Sequence, residues 1–420
     1  MRRVALSGWV LVLSGLCAAG DWPRWRGPAG TGHVPAHLAV PKTLPAEAKV
    51  LWRVKLGDGV GSPAVAGGKV FYLDHRQGKE VVGAAEADTG KELWSRPLDD
   101  VFKDAHTRPG PRGTPLIDGG RVYVLSCRGE LQCLGADDGK VIWRVNFVKD
   151  LGAVFIGERG SAAGASRHGY SGSPVVDGDR LIVDAGGRDG ASVVCFDKRT
   201  GRVIWKSQSD VAGHGGVVLA TIAGVKQAVS FTAIGAIGLD AADGKLLWRA
   251  PVKTRLGRHV ITPVVVGETV VVSSYLAGLI GIKVTRDADG FRAERAWVDK
   301  SSSINFSSPV AVGHHLYGLA PGKTLFCLDV RTGKRAWAQR GFFNGMVKKG
   351  YASFLVAGSN LLILAEAGQL LLVAADPARC RLVAKTKACG QNWCNPAYAD
   401  GKLYLRDDKA LRCVQLLAKP

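Results

Sequence analysis

The 420-residue sequence lacks the features that mark a helical membrane protein. No segment after residue 20 is long and apolar enough to cross about 30 Å of hydrocarbon, so we expect no transmembrane segment after signal cleavage. Almost no stretch between the turn residues has the period of an amphipathic helix of about 12 residues or more. The sequence therefore predicts a chain built from strands.

The common catalytic and metal-binding motifs are also missing. The sequence contains neither an HExxH helix nor a phosphate-binding P-loop. The run Gly169-Tyr-Ser-Gly-Ser173 lacks the last glycine of a hydrolase nucleophile elbow. Carboxylates fall mostly in turns, so no acid–base pair can be nominated. We predict no catalytic residue and no metal ligand.

Residues 1–20 are predicted to be a signal peptide. Arg2 and Arg3 precede a largely apolar run that ends at Cys17, and small residues follow it. The bulky Leu16 departs from the small residue that lipoprotein signals carry before their cysteine, so we expect no lipid anchor. The interpretation is a protein exported to the periplasm or secreted.

The chain is strongly basic, with 56 lysines and arginines against 36 acidic residues and a formal charge of +20. Such a field attracts polyanions. An exported protein meets an envelope protein or an anionic polymer rather than nucleic acid, and these are the expected partners of a monomer. Because the basic residues are scattered along the chain, a uniformly solvated basic surface is the alternative.

One sequence pattern recurs along the chain: a Ser/Thr-Pro start, three strands separated by turns, an Asp/Thr-Gly-Lys turn and a strand that carries tryptophan. Five starts are clear and three are degenerate: Ser62, Thr114, Ser173, Thr262 and Ser308, then Val217, Ser353 and Asn395. The tryptophans keep the same phase, 40 to 62 residues apart: Trp52, Trp94, Trp143, Trp205, Trp248, Trp297 and Trp337. This period is typical of a β-propeller.

The ends of the chain predict how the ring closes. The last unit, from Pro396 to Leu417, has room for only three strands, and Val50–Leu56 is an unpaired tryptophan-bearing strand before the first start. We expect these segments to pair, which leaves no open edge. The prediction is an all-β protein: an eight-bladed propeller of four-stranded antiparallel blades over 50–417, preceded by an extended arm at 21–49. Seven blades is the fallback if the Val217 unit is not a blade.

Two segments, Cys195–Trp205 and Cys327–Trp337, have the pattern Asp-x-x-Thr-Gly-Lys/Arg-x-x-Trp. This pattern resembles the PQQ-type (quinoprotein-like) propeller repeat, and the resemblance covers roughly residues 50–417. The opening Asp21-Trp-Pro-Arg-Trp-Arg-Gly-Pro28 is similar to the start of exported PQQ-like propellers of planctomycete-type bacteria. Assembly factor B of the outer-membrane β-barrel machinery, a scaffold, belongs to the same repeat class.

The resemblance implies two functions. One is a non-catalytic binding or scaffolding module at the cell envelope, without a cofactor, and this is the function we expect. The alternative is a PQQ-dependent dehydrogenase that binds the quinone and calcium at the central channel. The chain departs from that branch because it has no adjacent Cys-Cys pair and no long insertions.

Residues just before each blade start should converge on the central channel. The two positions before the starts alternate in direction along a strand, so only one set needs to line the mouth. Arginines there can hold a carboxylate or phosphate, histidines can act as acids, bases or ligands, and aromatic rings can stack a planar group. The alternative is a water-filled channel closed by ordinary loop residues. The candidate binding residues are Arg112, His168, Tyr170, His214, Arg258, His259, Asn305, Phe306, Tyr351, Asn392 and Trp393.

Eight cysteines follow the predicted signal peptide. Cys133, Cys195, Cys327 and Cys413 share one strand position and should be small buried residues. Cys380, Cys389 and Cys394 cluster near the end of the chain, where an oxidising compartment permits a disulfide. Which pair would form is left open, since spacing does not determine connectivity.

Overall fold

The computed structural model describes residues 20–103 and 109–417. Within these residues the chain forms eight four-stranded sheets, and consecutive strands pair antiparallel. Each sheet is one blade of a β-propeller. The predicted all-β, eight-bladed fold is confirmed, and because the unit near Val217 forms a complete blade, the seven-bladed alternative is wrong. Residues 1–19 of the predicted signal peptide lie outside the described residues.

The first four blades follow β1 (Lys49–Lys55) in chain order. Blade 1 contains β2 (Ala64–Ala66), β3 (Lys69–Arg76), β4 (Lys79–Glu86) and β5 (Glu92–Asp100). Blade 2 contains β6 (Leu116–Asp118), β7 (Arg121–Leu125), β8 (Glu130–Gly135) and β9 (Val141–Asn146). Blade 3 contains β10 (Val175–Asp177), β11 (Arg180–Asp184), β12 (Val193–Asp197) and β13 (Val203–Ser207). Blade 4 contains β14 (Val218–Ile222), β15 (Val225–Thr232), β16 (Gly235–Asp240) and β17 (Leu246–Pro251).

The other four blades complete the ring. Blade 5 contains β18 (Val264–Val266), β19 (Thr269–Ser274), β20 (Gly278–Asp287) and β21 (Gly290–Asp299). Blade 6 contains β22 (Val310–Val312), β23 (His315–Ala320), β24 (Thr324–Asp329) and β25 (Lys334–Gln339). Blade 7 contains β26 (Ala352–Ala357), β27 (Asn360–Ala365), β28 (Gln369–Ala374) and β29 (Leu382–Lys387). Blade 8 contains β30 (Ala397–Ala399), β31 (Lys402–Arg406), β32 (Ala410–Gln415) and, as its outermost strand, β1.

The helices of the described residues are short: α1 (Phe147–Leu151), α2 (Gly164–His168) and one 3-10 turn (Lys300–Ser302). Both α-helices lie in the connection between blades 2 and 3. Asn146 starts α1 because its side-chain oxygen accepts hydrogen bonds from the first free backbone N–H groups. None of the helices in this part of the chain has the length and apolar character of a membrane span.

Strand β1 closes the ring by pairing antiparallel with β32, from Lys49 opposite Gln415 to Lys55 opposite Ala410. The first and last strands of the propeller therefore belong to one blade, as the sequence predicted. This pairing removes the two free edges that an open array of blades would present to other chains.

Tryptophans of the outermost strands join neighbouring blades. Trp94 of β5 lies against Gly139 in the β8–β9 turn of the next blade, and its Nε1 donates a hydrogen bond to the Ala136 carbonyl at 3.1 Å. A Cβ on Gly139 would lie 2.5 Å from the ring, and the φ of 66° there also favours glycine. The same contact recurs between Trp52 and Gly90, Trp143 and Gly201, Trp205 and Gly244, and Trp297 and Gly333. These tryptophans therefore pack between neighbouring blades.

The segment before β1 lies across one end of the ring. Trp22 forms an antiparallel bridge with Val65 of blade 1, with N–H to O distances of 2.8 and 2.9 Å. Trp25, three residues later, donates from Nε1 to Thr262 Oγ1 at the start of blade 5, at 2.9 Å. Blades 1 and 5 are opposite each other in a ring of eight, so this segment crosses the propeller axis.

After crossing the axis, the segment follows blades 6 to 8. Arg26 donates to the Pro309 carbonyl at 2.7 Å. Val34 and Val356 of β26 lie side by side, since the Val34 N–H donates to the Val356 carbonyl at 2.8 Å. The Tyr398 hydroxyl then donates to the Ala39 carbonyl. We call residues 20–48 the N-terminal arm, and these contacts link blades 1, 5, 6, 7 and 8 before the chain enters β1.

We predict that Gly139→Ala destabilises the protein more than Gly119→Ala. Both glycines have positive φ, 66° and 54°, so an alanine costs about 1–2 kcal/mol of backbone strain at either site. Only at Gly139 does the new Cβ meet Trp94, whereas the space around Gly119 is open, so overpacking adds about 1–3 kcal/mol. Urea unfolding followed by tryptophan fluorescence measures both losses. Equal losses would contradict the stabilising role of the Trp–Gly contact.

Candidate functional site

The inner strands of the blades begin at one end of the ring, and the residues there surround a cavity of about 270 Å³ on the propeller axis. Four side chains of the Ser/Thr-Pro starts line it: Ser62, Ser173, Thr262 and Ser308. We call this the axial cavity. The Ser/Thr-Pro starts of the sequence repeat therefore contribute to the cavity wall.

Eight of the eleven predicted binding residues line the axial cavity. Seven of the eight residues two positions before a blade start contact it, against three of the eight residues one position earlier. The two positions alternate as expected, and the later one faces the axis. The predicted residues at the cavity are Arg112, His168, His214, Arg258, Phe306, Tyr351, Asn392 and Trp393.

Three predicted residues do not line the cavity. Tyr170 is buried and its hydroxyl donates to the Ala185 carbonyl at 2.8 Å. His259 is fully buried, with its ring stacked on Phe231 at a centroid distance of 4.1 Å and with Nδ1 2.6 Å from a backbone carbonyl. Asn305 is half-buried, and its Oδ1 has no hydrogen-bond partner. Tyr170 and His259 have structural contacts that account for them.

The connections that lead into blades 2 to 5 form a cationic sector of the cavity wall. Arg112 donates from Nη1 to the His168 carbonyl, and its guanidinium lies 5.4 Å from the centre of the Phe102 ring. Arg258 is held through its backbone carbonyl, which accepts a hydrogen bond from Ser274 at 3.0 Å. Lys349 also lines the cavity, but from the connection into blade 7. This sector therefore presents positive charge to the cavity.

His214 lies in the middle of the cationic sector and is 8% exposed. Its backbone N–H donates to the His259 carbonyl at 2.8 Å, but its ring Nε2 has no hydrogen-bond partner. Burial and the neighbouring charges of His168, Arg112 and Arg258 lower the pKa of His214 to about 3. The ring is therefore neutral at ordinary pH, and one of its polar atoms is unsatisfied.

Backbone hydrogen bonds fix the positions of His168 and His214 in the cavity wall. Helix α2, which ends in His168, is held by the Ala165 N–H, which donates to the Ala212 carbonyl at 2.9 Å. The His168 and His214 rings lie 6.0 Å apart between centroids. The two histidines therefore belong to different connections but lie next to each other in the cavity wall.

The connections that lead into blades 6 to 8 form an aromatic sector opposite the cations. Tyr351 and Trp393 are stacked, with centroids 5.5 Å apart and planes 12° from parallel. Phe306 also contacts Trp393, with ring centroids 5.0 Å apart. The Arg258 guanidinium lies 5.7 Å from the Phe306 ring centre, where the two sectors meet. The wall thus offers a flat apolar surface to a planar group.

Two parts of the cavity were not found from the sequence. Trp25 of the N-terminal arm lines the cavity, although it lies 237 residues from its partner Thr262. Arg406 and Asp407 also contribute, and Arg406 donates from Nη2 to the Gly57 carbonyl at 2.7 Å. The signal for Trp25 was the tryptophan-rich start of the arm, but nothing in that motif indicates which blade it reaches.

The cysteines are free thiols in the described residues. Cys389 and Cys394 are buried, Cys380 is half-buried, and the Cys394 thiol donates to the Arg406 carbonyl at 2.9 Å. Burial raises the pKa of Cys394 to about 12. A disulfide among Cys380, Cys389 and Cys394 stays a prediction. The cysteines at the shared strand position are all buried, as expected.

The repeat class implies a cofactor made of PQQ and a calcium ion. The residues at the cavity suit the PQQ molecule but not the calcium ion. Arginines and aromatic rings suit a planar polycarboxylate such as PQQ. Calcium needs six to eight oxygen ligands, and no group of three or more His, Cys, Asp or Glu side chains suited to a metal occurs in residues 20–103 and 109–417. Asp407 is committed to Arg412 at 2.8 Å and to three backbone N–H groups. The calcium half of the site does not fit.

Comparison with protein families identifies the repeat. The family model described as outer membrane protein assembly factor BamB, of the PQQ-like repeat class, matches residues 78–339, more than half of the chain. The chain belongs to this family. The predicted resemblance to the PQQ-like propeller repeat is confirmed.

Curated relatives of this PQQ-like propeller carry the same description. BamB of Shewanella oneidensis is 24% identical over 336 residues, which cover 74% of this chain and 76% of that protein. BamB of Escherichia coli is 34% identical over 102 residues, 22% of this chain and 25% of that protein.

Solved structures agree on the fold. Quinohemoprotein alcohol dehydrogenase from Comamonas testosteroni is 14% identical, covers 96% of this chain with 82% of its own, and has a TM-score of 0.61. The computationally designed Ika8 protein has a TM-score of 0.56 at 9% identity, over 89% of this chain and all of its own. At these identities the likeness concerns the fold alone.

We predict that Asp184→Asn reduces the loss of stability between pH 4 and pH 7. Asp184 is buried beside the His214 connection, where Ser230 and the Gly213 N–H donate to its Oδ2 at 2.9 and 3.4 Å. Burial raises its pKa to about 7. The folded state thus keeps a proton that the unfolded chain releases near pH 4, and stability falls as pH rises between these values.

Urea unfolding at pH 4, 5.5 and 7 measures this effect. Glu80, whose pKa burial also raises to about 7, contributes in the same direction, so Glu80→Gln combined with Asp184→Asn should flatten the profile further. An unchanged slope in Asp184→Asn would contradict the assignment. A matched control is Asp243→Asn, at an exposed turn position, which should keep the wild-type slope.

Proposed function

We propose that this protein is an exported, non-catalytic binding module of the cell envelope. In this proposal it acts as a scaffold, and its axial cavity holds an anionic group of a protein partner. The family to which the chain belongs is described as an outer membrane protein assembly factor. A binding or scaffolding role at the envelope fits that description.

The observation that carries the proposal is the cationic sector of the axial cavity. Arg112, Arg258 and two histidines converge there from four different connections. Lys349 adds a further positive charge from the connection into blade 7. Guanidinium groups hold carboxylates through paired, charge-assisted hydrogen bonds. A cavity whose wall has cations on one side, and aromatic rings with a few polar groups on the other, has the composition of a recognition site.

The size of the cavity limits which part of a partner can enter it. At about 270 Å³ it admits a side chain or a similarly small group but no folded element. The formal charge of +20 on the whole chain attracts anionic partners from a distance, and the cavity then selects one group among them. An anionic envelope polymer, the other expected partner, would bind the basic surface and not need the cavity.

We predict that Arg112→Glu with Arg258→Glu weakens capture of the partner from envelope extracts. Each change places a negative charge against the incoming anion, and reversal of two cavity charges should weaken capture at least tenfold. Quantitative mass spectrometry of proteins retained by immobilised wild type and variant, at two salt concentrations, makes the comparison.

The matched control changes the same charge elsewhere. Arg202→Glu with Arg199→Glu lies at the exposed β12–β13 turn, at the opposite end of blade 3. These variants should capture the partner as wild type does. Equal losses in both pairs would indicate attraction to the basic surface alone, and retained anionic polymer instead of protein would assign the partner to that class.

The alternative function, a PQQ-dependent dehydrogenase, is favoured by the aromatic and cationic lining of the cavity. It is opposed by the metal-ligand composition described above. We predict that purified protein mixed with PQQ and calcium gives no dye reduction with alcohols or sugars. A bound quinone spectrum together with dye reduction would replace the binding proposal.

A further inference from the structure

Exposed apolar side chains occur outside the axial cavity, on two turns of neighbouring blades. Leu276, in the β19–β20 turn of blade 5, is 77% exposed and is the most exposed large apolar side chain of the described residues. Tyr275 beside it is 56% exposed, and Ile234, in the β15–β16 turn of blade 4, is 53% exposed. Both turns lie at the end of the ring that holds the cavity, because the first strand of a blade leaves that end and the second strand returns to it.

The connection from blade 4 to blade 5 joins the two turns. The Ile234 carbonyl accepts a hydrogen bond from the Val252 N–H at 3.0 Å, and Ser274 Oγ donates to the Arg258 carbonyl at 3.0 Å. From the other side, Ser303 Oγ donates to the Ser274 carbonyl at 2.8 Å. The base of the β19–β20 turn is thus held by two connections, while its two apolar side chains remain in solvent. The turn therefore presents them from a fixed support.

The backbone of Leu276 has a conformation that suits glycine better than leucine. Its φ is 64°, in the left-handed region where a Cβ is unfavourable. Strained residues of this kind persist where the surrounding structure fixes them, and they cluster at functional sites. The exposed leucine side chain gains little from packing within the chain. The leucine is therefore better explained by a contact outside the chain.

The segment between the two apolar turns is cationic. Residues 252–261 contain three lysines and arginines and no acidic residue, and two of these cations, Lys253 and Arg255, are exposed. Asp210, which is buried next to the β15–β16 turn, is paired with Arg249 at 2.6 Å. The exposed charge on this segment is therefore positive. We call Ile234, Lys253, Arg255, Tyr275 and Leu276 the rim patch.

The shape and charge of the rim patch favour a lipid surface over a folded partner. Stable protein interfaces use broad, closely packed areas, whereas the apolar side chains of the rim patch are on the tips of turns. An anionic bilayer takes apolar side chains into its interfacial layer and attracts lysine and arginine to its headgroups. Tyrosine is enriched at the same level of a membrane.

We propose that the rim patch docks the protein on an anionic lipid surface, with Tyr275 and Leu276 in the interfacial layer and Lys253 and Arg255 at the headgroups. The inference goes beyond the proposed function, because it concerns the outer surface and holds whether or not a protein group enters the axial cavity. Docking through this patch would bring the end of the ring that holds the cavity towards the bilayer.

Co-sedimentation of the full-length mature protein with lipid vesicles tests the docking. Vesicles of phosphatidylglycerol and phosphatidylcholine in equal parts should bind the protein at least tenfold more tightly than vesicles of phosphatidylcholine alone. Added salt should weaken this binding, because it screens the attraction between the cations and the headgroups. Equal binding to both compositions, or binding to neither, would overturn the inference.

Leu276→Gly separates binding from folding. Loss of the leucine side chain from the interfacial layer should weaken binding to the anionic vesicles by about tenfold or more. The melting temperature should stay the same or rise, because glycine accepts the positive φ without strain. Lys253→Glu with Arg255→Glu should also weaken binding more than tenfold, since each cation near an anionic surface contributes about fivefold.

Matched controls lie at the opposite end of the ring. Ile142→Ser removes an exposed apolar side chain near the β8–β9 turn, and Arg199→Glu with Arg202→Glu reverses two exposed charges at the β12–β13 turn. Both controls should bind the vesicles as wild type does. Equal losses in variants and controls would indicate attraction to the whole basic surface and would contradict docking by the rim patch.

A fluorescent label reports insertion directly. Cys380 is half-buried and the other cysteines of the described residues are buried, so Cys380→Ser limits labelling to an added thiol. In this background, an environment-sensitive dye on Leu276→Cys should shift its emission to the blue when anionic vesicles are added, whereas the dye on Ile142→Cys should not. A blue shift at position 142 without one at position 276 would place the contact at the other end of the ring and overturn the inference.

Other occupants of the rim patch would give different results. Dimerisation in analytical ultracentrifugation that Leu276→Gly abolishes, without vesicle binding, would assign the patch to a second copy of the chain. Capture of an envelope protein that Leu276→Gly abolishes, without vesicle binding, would assign it to that protein. Either result overturns the lipid assignment. If vesicles do not bind while Arg112→Glu with Arg258→Glu still weakens capture of a protein, the inference fails and the proposed function stands.

Discussion

The antiparallel pairing of β1 with β32 is the contact on which the rest of the structure depends. It joins the residues around Lys49 to those around Gln415 and turns a linear array of blades into a ring. Only in a closed ring do the inner strands of all blades point at one axis, and only then do eight unrelated connections meet in one cavity. The Trp–Gly contacts between blades then set the spacing of those connections. Chain closure is therefore a requirement for the candidate site and not only for stability.

The side chains that line the axial cavity differ in type from one side of the ring to the other. An exact eightfold repeat would place the same residue at every position around the axis, but here successive blades contribute Arg112, His168, His214 and Arg258 on one side and aromatic rings on the other. The strands satisfy their own backbone groups, so the residues before them are free to differ. The candidate site is thus formed by the part of the repeat that the fold does not constrain.

Much of this could be predicted from the sequence, because blade number, closure and interblade tryptophans all follow from local patterns with a fixed period. Most of the cavity residues could also be predicted, since they occur at a regular spacing before the Ser/Thr-Pro starts. The period alone did not separate His214, which lines the cavity, from His259, whose ring stacks on Phe231. Irregular connections of different length do not keep the alternation of a strand. The place of Trp25 in the cavity could not be predicted from the sequence, because it depends on tertiary contacts across the ring.

The N-terminal arm contributes directly to the wall of the axial cavity through Trp25. Blades 1 and 5, which share no strand pairing, are joined through this segment by Trp22 and Trp25. The shape of the candidate site therefore depends on a segment that lies outside the repeat, so a change in the arm would alter the cavity even if every blade kept its fold.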